Sequence, residues 1–275
     1  MTGPTIVSVV NHKGGCLKTT VTANLGAALA RAGKRVLVLD LDAQQNLTQS
    51  LIGSVELVDG TPTLYDAFLD EASLDALITR TPQENLDLVP CAEDFVGADL
   101  SLVSAVGREH VLRTCLARTS ALESYDFVLA DCPPSISLVV VNALAASQWF
   151  LVPCSAEFLP MVGLTLLGNS VRKLQKIAPD LRLLGVVLTR YAKHERVCRH
   201  VESLLRRELA GNLFESIIRV NTKAKSAPSV RRTIFEYEDD TAGRGTVDFT
   251  LLAEEFLARL AAASDVPREE LVAHG

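Results

Sequence analysis

Lys13, Gly14, Gly15, Cys16, Leu17, Lys18, Thr19 and Thr20 form one uninterrupted run, and their types suit the holding of a phosphate chain. A glycine pair lets the backbone turn its N–H groups toward an anion, and the start of a helix presents more of them. Lys18 sets a point charge against the outer phosphates, and the Thr19 hydroxyl suits a Mg²⁺ ligand. The strict pattern G-x-x-x-x-G-K-[ST] is not met, because His12 and Leu17 stand where it requires glycine. A side chain at position 17 either crowds the loop or forces a left-handed backbone, at a cost of roughly 1–2 kcal/mol. Taken alone, the run also reads as a glycine turn between a strand and a helix.

Three acids could complete a metal–phosphate site. Asp40 and Asp42 end the apolar run Val36-Leu37-Val38-Leu39, and Asp131 ends Phe127-Val128-Leu129-Ala130. Carboxylates at the carboxyl ends of parallel strands lie where open α/β sheets bind ligands. Asp40 and Asp131 can reach the metal shell, and Asp42 can orient a water at the terminal phosphate. The competing reading of Asp40-Leu41-Asp42-Ala43-Gln44-Gln45-Asn46 is an N-cap and turn cluster.

The elements that must position these groups follow from periodicity. Ile6 to Val10 is β-branched and apolar, as in a strand buried on both faces. Val21, Leu25, Ala28 and Leu29 recur on one face of a helix after the loop. A helix and then a strand are expected in T-L-Y-D-A-F-L and N-L-D-L-V-P between Thr61 and Pro90. Cys91 to Arg118 reads as one or two amphipathic helices, with Leu100, Val103, Val111, Leu112 and Leu116 as core candidates. Pro133-Pro134 must end the strand that carries Asp131. Gly185 to Arg190 is a further strand leading into a helix over Tyr191 to Leu209, and Asp248 to Ala263 is an amphipathic helix built on Phe249, Leu252, Phe256 and Leu260.

The 275 residues, 48% hydrophobic and 22% charged, are those of an ordinary globular chain able to bury a substantial core. No apolar stretch reaches membrane-spanning length, and a cytoplasmic protein is expected. Six cysteines without a C-x-x-C pair argue against a zinc site or a disulfide framework. A net charge of −6 excludes a protein that is basic all over, but not one with a local basic face. Residues 190–209 carry Arg190, Lys193, Arg196, Arg199, Arg206 and Arg207 against three glutamates. Residues 219–232 carry Arg219, Lys223, Lys225, Arg231 and Arg232 with no acid. Such segments are either solvated faces or contacts to a phosphate backbone that do not read sequence.

The loop resembles K-G-G-x-G-K-T-T, the deviant Walker A of the ParA/MinD family of ATPases, which lacks the first glycine and adds a signature lysine, here Lys13. D-L-D-A-Q-Q-N, T-L-Y-D, N-L-D-L-V-P, D-C-P-P-S, F-L-V-P-C-S-A-E-F-L-P-M-V-G-L and K-S-A-P-S resemble further ParA motifs, in the family's order, from about Ile6 to Leu260. The resemblance implies an α/β fold of the P-loop NTPase kind: a mostly parallel twisted sheet with helices on both faces. It implies a single nucleotide-binding domain over 1–275, with a loose tail from about 264 to 275. It also implies a small ParA-type ATPase, lacking an N-terminal helix-turn-helix region, that uses ATP and Mg²⁺.

In such proteins ATP joins two subunits face to face, and Lys13 reaches the partner's nucleotide as an arginine finger does. Gly14, Gly15, Cys16, Leu17, Lys18, Thr19 and Thr20 then hold phosphates, and Asn221 lies near the base. Thr19, Asp40 and Asp131 serve the metal, with Lys13, Lys18 and Asp42 catalytic. Arg190, Lys193, Arg196, Arg199, Arg219, Lys223, Lys225, Arg231 and Arg232 meet nonspecific DNA. A ParB-like centromere-binding partner stimulates slow hydrolysis, and the protein is nucleoid-associated. Leu17, Ala43 (for proline), Gln45 (for glycine) and Ala192 (for aspartate) depart from the family pattern. The alternative is a nucleotide-gated DNA-binding scaffold that hardly hydrolyses, with Leu17 as the cause. A membrane role of the MinD type is disfavoured by a tail that is not Lys/Arg-rich, and an iron–sulfur reductase lacks the pattern around Cys91 and Cys132.

Overall fold

A computed structural model describes residues 3–55, 60–135, 137–156, 175, 178–238 and 241–264. Strand β1 (Thr5–Val9) shows why the short apolar runs pair as a parallel sheet. Val7 and Val9 point to one hydrophobic core, while Ile6 and the following Val10 point to the other. Strand β2 (Val36–Asp40) divides in the same way, with Val36 and Val38 on one side and Leu37 and Leu39 on the other. A strand apolar on both faces needs helices on both, and this sheet has them.

The further strands are β3 (Thr79–Arg80), β4 (Leu86–Val89), β5 (Phe127–Asp131), β6 (Trp149–Ser155), β7 (Arg182–Tyr191) and β8 (Leu213–Arg219). The sheet order is β3-β4-β2-β5-β1-β6-β7-β8, parallel throughout except for the antiparallel β3 at the edge. The carboxyl ends of β1, β5 and β2 are therefore adjacent, and the loop after β1 lies beside both strand-end acids.

Helices α1 (Lys18–Arg31), α2 (Asn46–Leu51), α9 (Ile234–Glu238) and α10 (Arg244–Ser264) cover one face. Helices α3 (Leu64–Asp70), α4 (Ala98–Ser104), α5 (Val111–Arg118), α6 (Leu138–Ala146) and α7 (Arg196–Leu209) cover the other. Helix α8 (Thr222–Ser226) follows β8. Gly26 lets α1 lie close on the sheet: a methyl group there would come within 3.0 Å of Leu86 and 3.1 Å of Val38. Phe249, Leu252 and Phe256 of α10 are buried as their spacing requires. The ring of Phe256 meets Phe127 of β5 edge-on at 5.6 Å, an arrangement worth about 0.5–1.5 kcal/mol beyond its burial.

Two expectations are corrected. Leu100 and Val103 are not core residues, being 79% and 57% exposed. Helix α4 buries Ala98 and Leu102, and at roughly 100° per residue the other two positions fall on the opposite side. The helix expected from Tyr191 begins only at Arg196, because β7 continues to Tyr191 and pairs it with Arg219 of β8. The segment 157–164 and the tail beyond 264 lie outside the described residues.

Candidate nucleotide site

The loop after β1 is held by side chains of neighbouring strands. The Asn11 amide donates to the Pro153 carbonyl of β6 at 2.7 Å, and its Oδ1 accepts the Lys13 N–H at 3.0 Å. The Cys16 thiol donates to the Lys13 carbonyl at 3.1 Å, closing the turn. The Thr189 hydroxyl of β7 donates to the Cys16 carbonyl at 3.0 Å. The loop thus leans from β1 across β6 toward β7. Gly15 has φ 75°, and a methyl group on either Gly14 or Gly15 would meet no atom within 4 Å, so this wall faces open space.

Leu17 takes the left-handed conformation at φ 67° and ψ 30° and stands as the N-cap of α1. The backbone state that glycine adopts freely is here held by a leucine whose partly buried side chain packs on the α1–α10 core. Leu17 supplies no side-chain cap, and the first turn of α1 contains no acid. Within α1 and its cap, no side chain therefore satisfies the N–H groups at that end. Lys18 is buried at the same end, with Nζ 3.4 Å from the Lys13 carbonyl. Thr19 and Thr20 are half-buried, and Lys13 is exposed at the mouth of the loop.

Asp131 lies under the first turns of α1. The Thr22 hydroxyl, 3.1 Å from the Lys18 carbonyl, is 3.3 Å from Asp131 Oδ1. Oδ2 of Asp131 is buried without a hydrogen-bond partner. Burial, and then the neighbouring Asp40, push the Asp131 carboxyl up to about 8, against the pull of the Thr19 hydroxyl and Lys18. Asp40 is more fully committed. Its Oδ2 accepts the Thr48 N–H at 2.8 Å and the Thr48 hydroxyl at 2.7 Å, and its Oδ1 accepts the Asp42 N–H at 3.2 Å. Burial nonetheless pushes Asp40 up to about 6. It ties α2 to β2. Asp42 accepts the Gln44 N–H at 3.0 Å in a tight turn, and Gln45 follows at φ 57° as the N-cap of α2. Leu17 and Gln45, the two positions where the resemblance leads one to expect glycine, are thus both left-handed.

A buried carboxylate oxygen without a partner, a threonine beside it and an uncapped helix end fit a magnesium–phosphate group. Among the described residues no three His, Cys, Asp or Glu side chains form a cage of their own. Magnesium usually completes its shell from phosphate oxygens and water rather than from such a cage.

The remaining predicted site residues lie on the same edge of the sheet. Asn221 follows β8. Its Oδ1 accepts the Lys223 N–H at 2.8 Å, and its amide donates to Glu238 at 3.1 Å. With Val220, Thr222, Lys223, Gly243 and Arg244 it lines an open cleft of about 440 Å³. Arg190 is the last but one residue of β7, and Lys193, Arg196 and Arg199 are exposed beyond it. The register of Tyr191 with Arg219 brings the two basic segments side by side.

Their charges are not equivalent. Arg219 is paired with Asp248 through Nε and Nη2. The Arg231 guanidinium rests on Gly53, and Lys223, Lys225 and Arg232 are exposed. Arg206 pairs with Glu202 and Glu215, and Arg207 with Glu208, so that end of α7 is neutralised. Asn11, Thr22, Thr48 and Thr189 were not singled out from sequence. Single polar residues within apolar runs have no spacing signal, and only strand order gives them partners.

A phosphate-accepting loop at the β1–β5 switch point, with acids closing the neighbouring strands, defines the P-loop class of nucleotide-binding proteins. Residues 4–183 match the family described as AAA domain. The sporulation initiation inhibitor protein Soj of Bacillus subtilis (strain 168) is 35% identical, over 92% of this chain and 98% of its own. The chromosome partitioning protein ParA of Caulobacter vibrioides is 32% identical, over 92% and 94%. Cobyrinic acid a,c-diamide synthase from Mycobacterium smegmatis, solved with bound ADP and magnesium, superposes with a TM-score of 0.75 at 28% identity, over 96% and 98%. The chain belongs to the ParA/Soj family of chromosome-partitioning ATPases.

Proposed function

We propose that this chain is a magnesium-dependent ATPase whose ATP-bound form pairs with a second copy, contacts DNA without reading its sequence, and is reset by a ParB-like partner. The observation that carries this reading is the uncapped end of α1, set between buried Lys18 and the unpartnered oxygen of Asp131. The N–H groups of that end and Lys18 bind the β- and γ-phosphates. Thr19 would hold magnesium, with Asp131 and Asp40 around it, and the bound ion would supply charge neutralisation for phosphoryl transfer. Asp42 orients the attacking water, and the cleft beside Asn221 takes the base. Lys13, exposed at the mouth of the loop, reaches the nucleotide of a second copy. Lys223, Lys225, Arg232, Lys193, Arg196 and Arg199 then face phosphate backbone on the same edge, which agrees with a cytoplasmic, nucleoid-associated protein acting as one domain. Among the described residues no helix is long and apolar enough to cross a membrane.

Titration calorimetry with ATP and magnesium tests the reading. Binding at micromolar to millimolar ATP is expected, and no heat at millimolar ATP would sink it.

A second reading, the nucleotide-gated scaffold, is favoured by the left-handed Leu17, which stiffens the loop next to Lys18. Phosphate release measured with DNA and partner present, for the native chain and for Leu17→Gly, separates the two. Turnover in the variant alone supports the scaffold.

A further inference from the structure

The run from Thr222 to Arg232 carries four cations and no acid, and its far end is fastened to the two helices that serve the nucleotide loop. The first fastening is Asn24 of α1. Its Oδ1 accepts the Ile234 N–H at 2.7 Å, at the start of α9, just past the basic run. Its Nδ2 donates to the Thr20 carbonyl at 2.8 Å, in the first turn of α1. One side chain, 6% exposed, thus spans the phosphate-binding turn and the backbone where the basic run ends.

The second fastening is Arg231, left-handed at φ 57°, whose guanidinium lies against Gly53 just beyond α2. A methyl group on Gly53 would come within 2.6 Å of the guanidinium carbon. Helix α2 itself begins just after Asp42 and is tied to Asp40 through Thr48.

We propose that Asn24 is a positioning residue that transmits the state of the phosphate-binding turn to the basic run, with the Arg231–Gly53 contact as a second hold. Both ends of the Asn24 amide are engaged inside the protein, where a lost partner is costly, so the link has little slack. The first turn of α1 is stiffened by its own hydrogen bonds. An anion bonded to its N–H groups moves or stiffens it as a unit, and Thr20, Asn24 and Ile234 follow in sequence. This is a contiguous chain of hydrogen bonds between two sites, one of the forms in which such coupling is carried. It rests on the reading that the loop takes ATP and that the basic run meets DNA.

The test compares the full chain with Asn24→Ala and Asn24→Asp. Aspartate keeps the acceptor for Ile234 but has no donor for Thr20, and it serves if the alanine variant folds poorly. Three readouts are taken: Mg-ATP affinity by calorimetry, hydrogen exchange over residues 222–236 with and without Mg-ATP, and retention on random-sequence DNA. Both variants are expected to bind Mg-ATP as the native chain does and to lose the ATP-linked change in exchange over 222–236. Their ATP-dependent DNA affinity is expected to fall about tenfold, within the usual range of coupling between sites.

An ATP-linked exchange change that survives in both variants overturns the proposal. So does a loss of ATP affinity in both, which would make Asn24 a structural part of the loop. A native chain that binds ATP without any change over 222–236 overturns it as well. If the native chain shows that change, and the variants lose it, but DNA is not retained, the coupling stands and the DNA reading alone fails.

Discussion

Asp40 and Asp131 are register partners at the carboxyl ends of β2 and β5. Removal from water is the main reason that both hold protons more tightly than usual, and like charge adds to it, from Asp40 on Asp131 and from Asp42 on Asp40. The folded chain therefore holds protons that the unfolded chain releases near pH 4. The sign follows: without nucleotide and magnesium, stability contributed by this pair is present at acid pH and declines as pH rises through about 6 and on to about 8. Asp131→Asn should flatten that decline and raise the nucleotide-free melting temperature at the alkaline end, while weakening magnesium-dependent ATP binding. Melting curves across this range check it, and a native Tm that climbs with pH would contradict the account.

Lys18 and Lys13 flank one loop but differ in burial, so their loss should differ in kind. Lys18→Ala removes a buried charge from the phosphates and should weaken ATP binding by about ten- to a hundredfold, from about 1.5–3 kcal/mol per charged hydrogen bond. Lys13→Ala should leave ADP binding by one subunit near native and lower partner-stimulated hydrolysis by about 10³-fold, as loss of a finger residue does. Calorimetry and phosphate release on both variants separate the two roles.

Leu17→Gly removes left-handed strain of roughly 1–2 kcal/mol but also the packing of a half-buried leucine and some unfolded-state restriction. These terms oppose one another, so stability should change by less than about 1 kcal/mol. Turnover should rise, because glycine restores the freedom of the loop beside Lys18. Urea unfolding with single-turnover hydrolysis tests both halves.

Arg219 and Lys223 lie four residues apart and should respond differently. Arg219→Ala leaves Asp248, a carboxylate only 5% exposed, without its cation, and should cost about 1–3 kcal/mol of stability. Lys223→Ala and Lys225→Ala should leave the melting curve unchanged. Each should reduce the dependence of log DNA affinity on log salt by about 0.9 if it meets one phosphate. Binding titrations at several salt concentrations, set beside thermal melts, decide this.

Helix α4 offers a control for the core. Leu102→Ala should cost about 2–5 kcal/mol, and Leu100→Ala no more than about 0.5 kcal/mol, read by denaturant unfolding.

The sequence by itself determined the phosphate loop, the three acids at the ends of two strands, and the helices around them. Chemistry carried by neighbours in the chain, or by a period of two or 3.6, is written locally. It also showed that positions 17 and 45 depart from the glycines its resemblance implies, and that Arg219 to Arg232 held cations without an acid. Only the tertiary structure decided that β5 lies between β1 and β2, which brings Asp131 beneath α1 and beside Asp40. It alone showed that Leu17 and Gln45 take the left-handed backbone that glycine adopts freely, and that Leu100 and Val103 face away from the core. It also showed that Asn24 reaches Ile234, 210 positions along the chain. Such pairings depend on strand order and on which side of a short helix is covered, and neither leaves a local pattern in the chain.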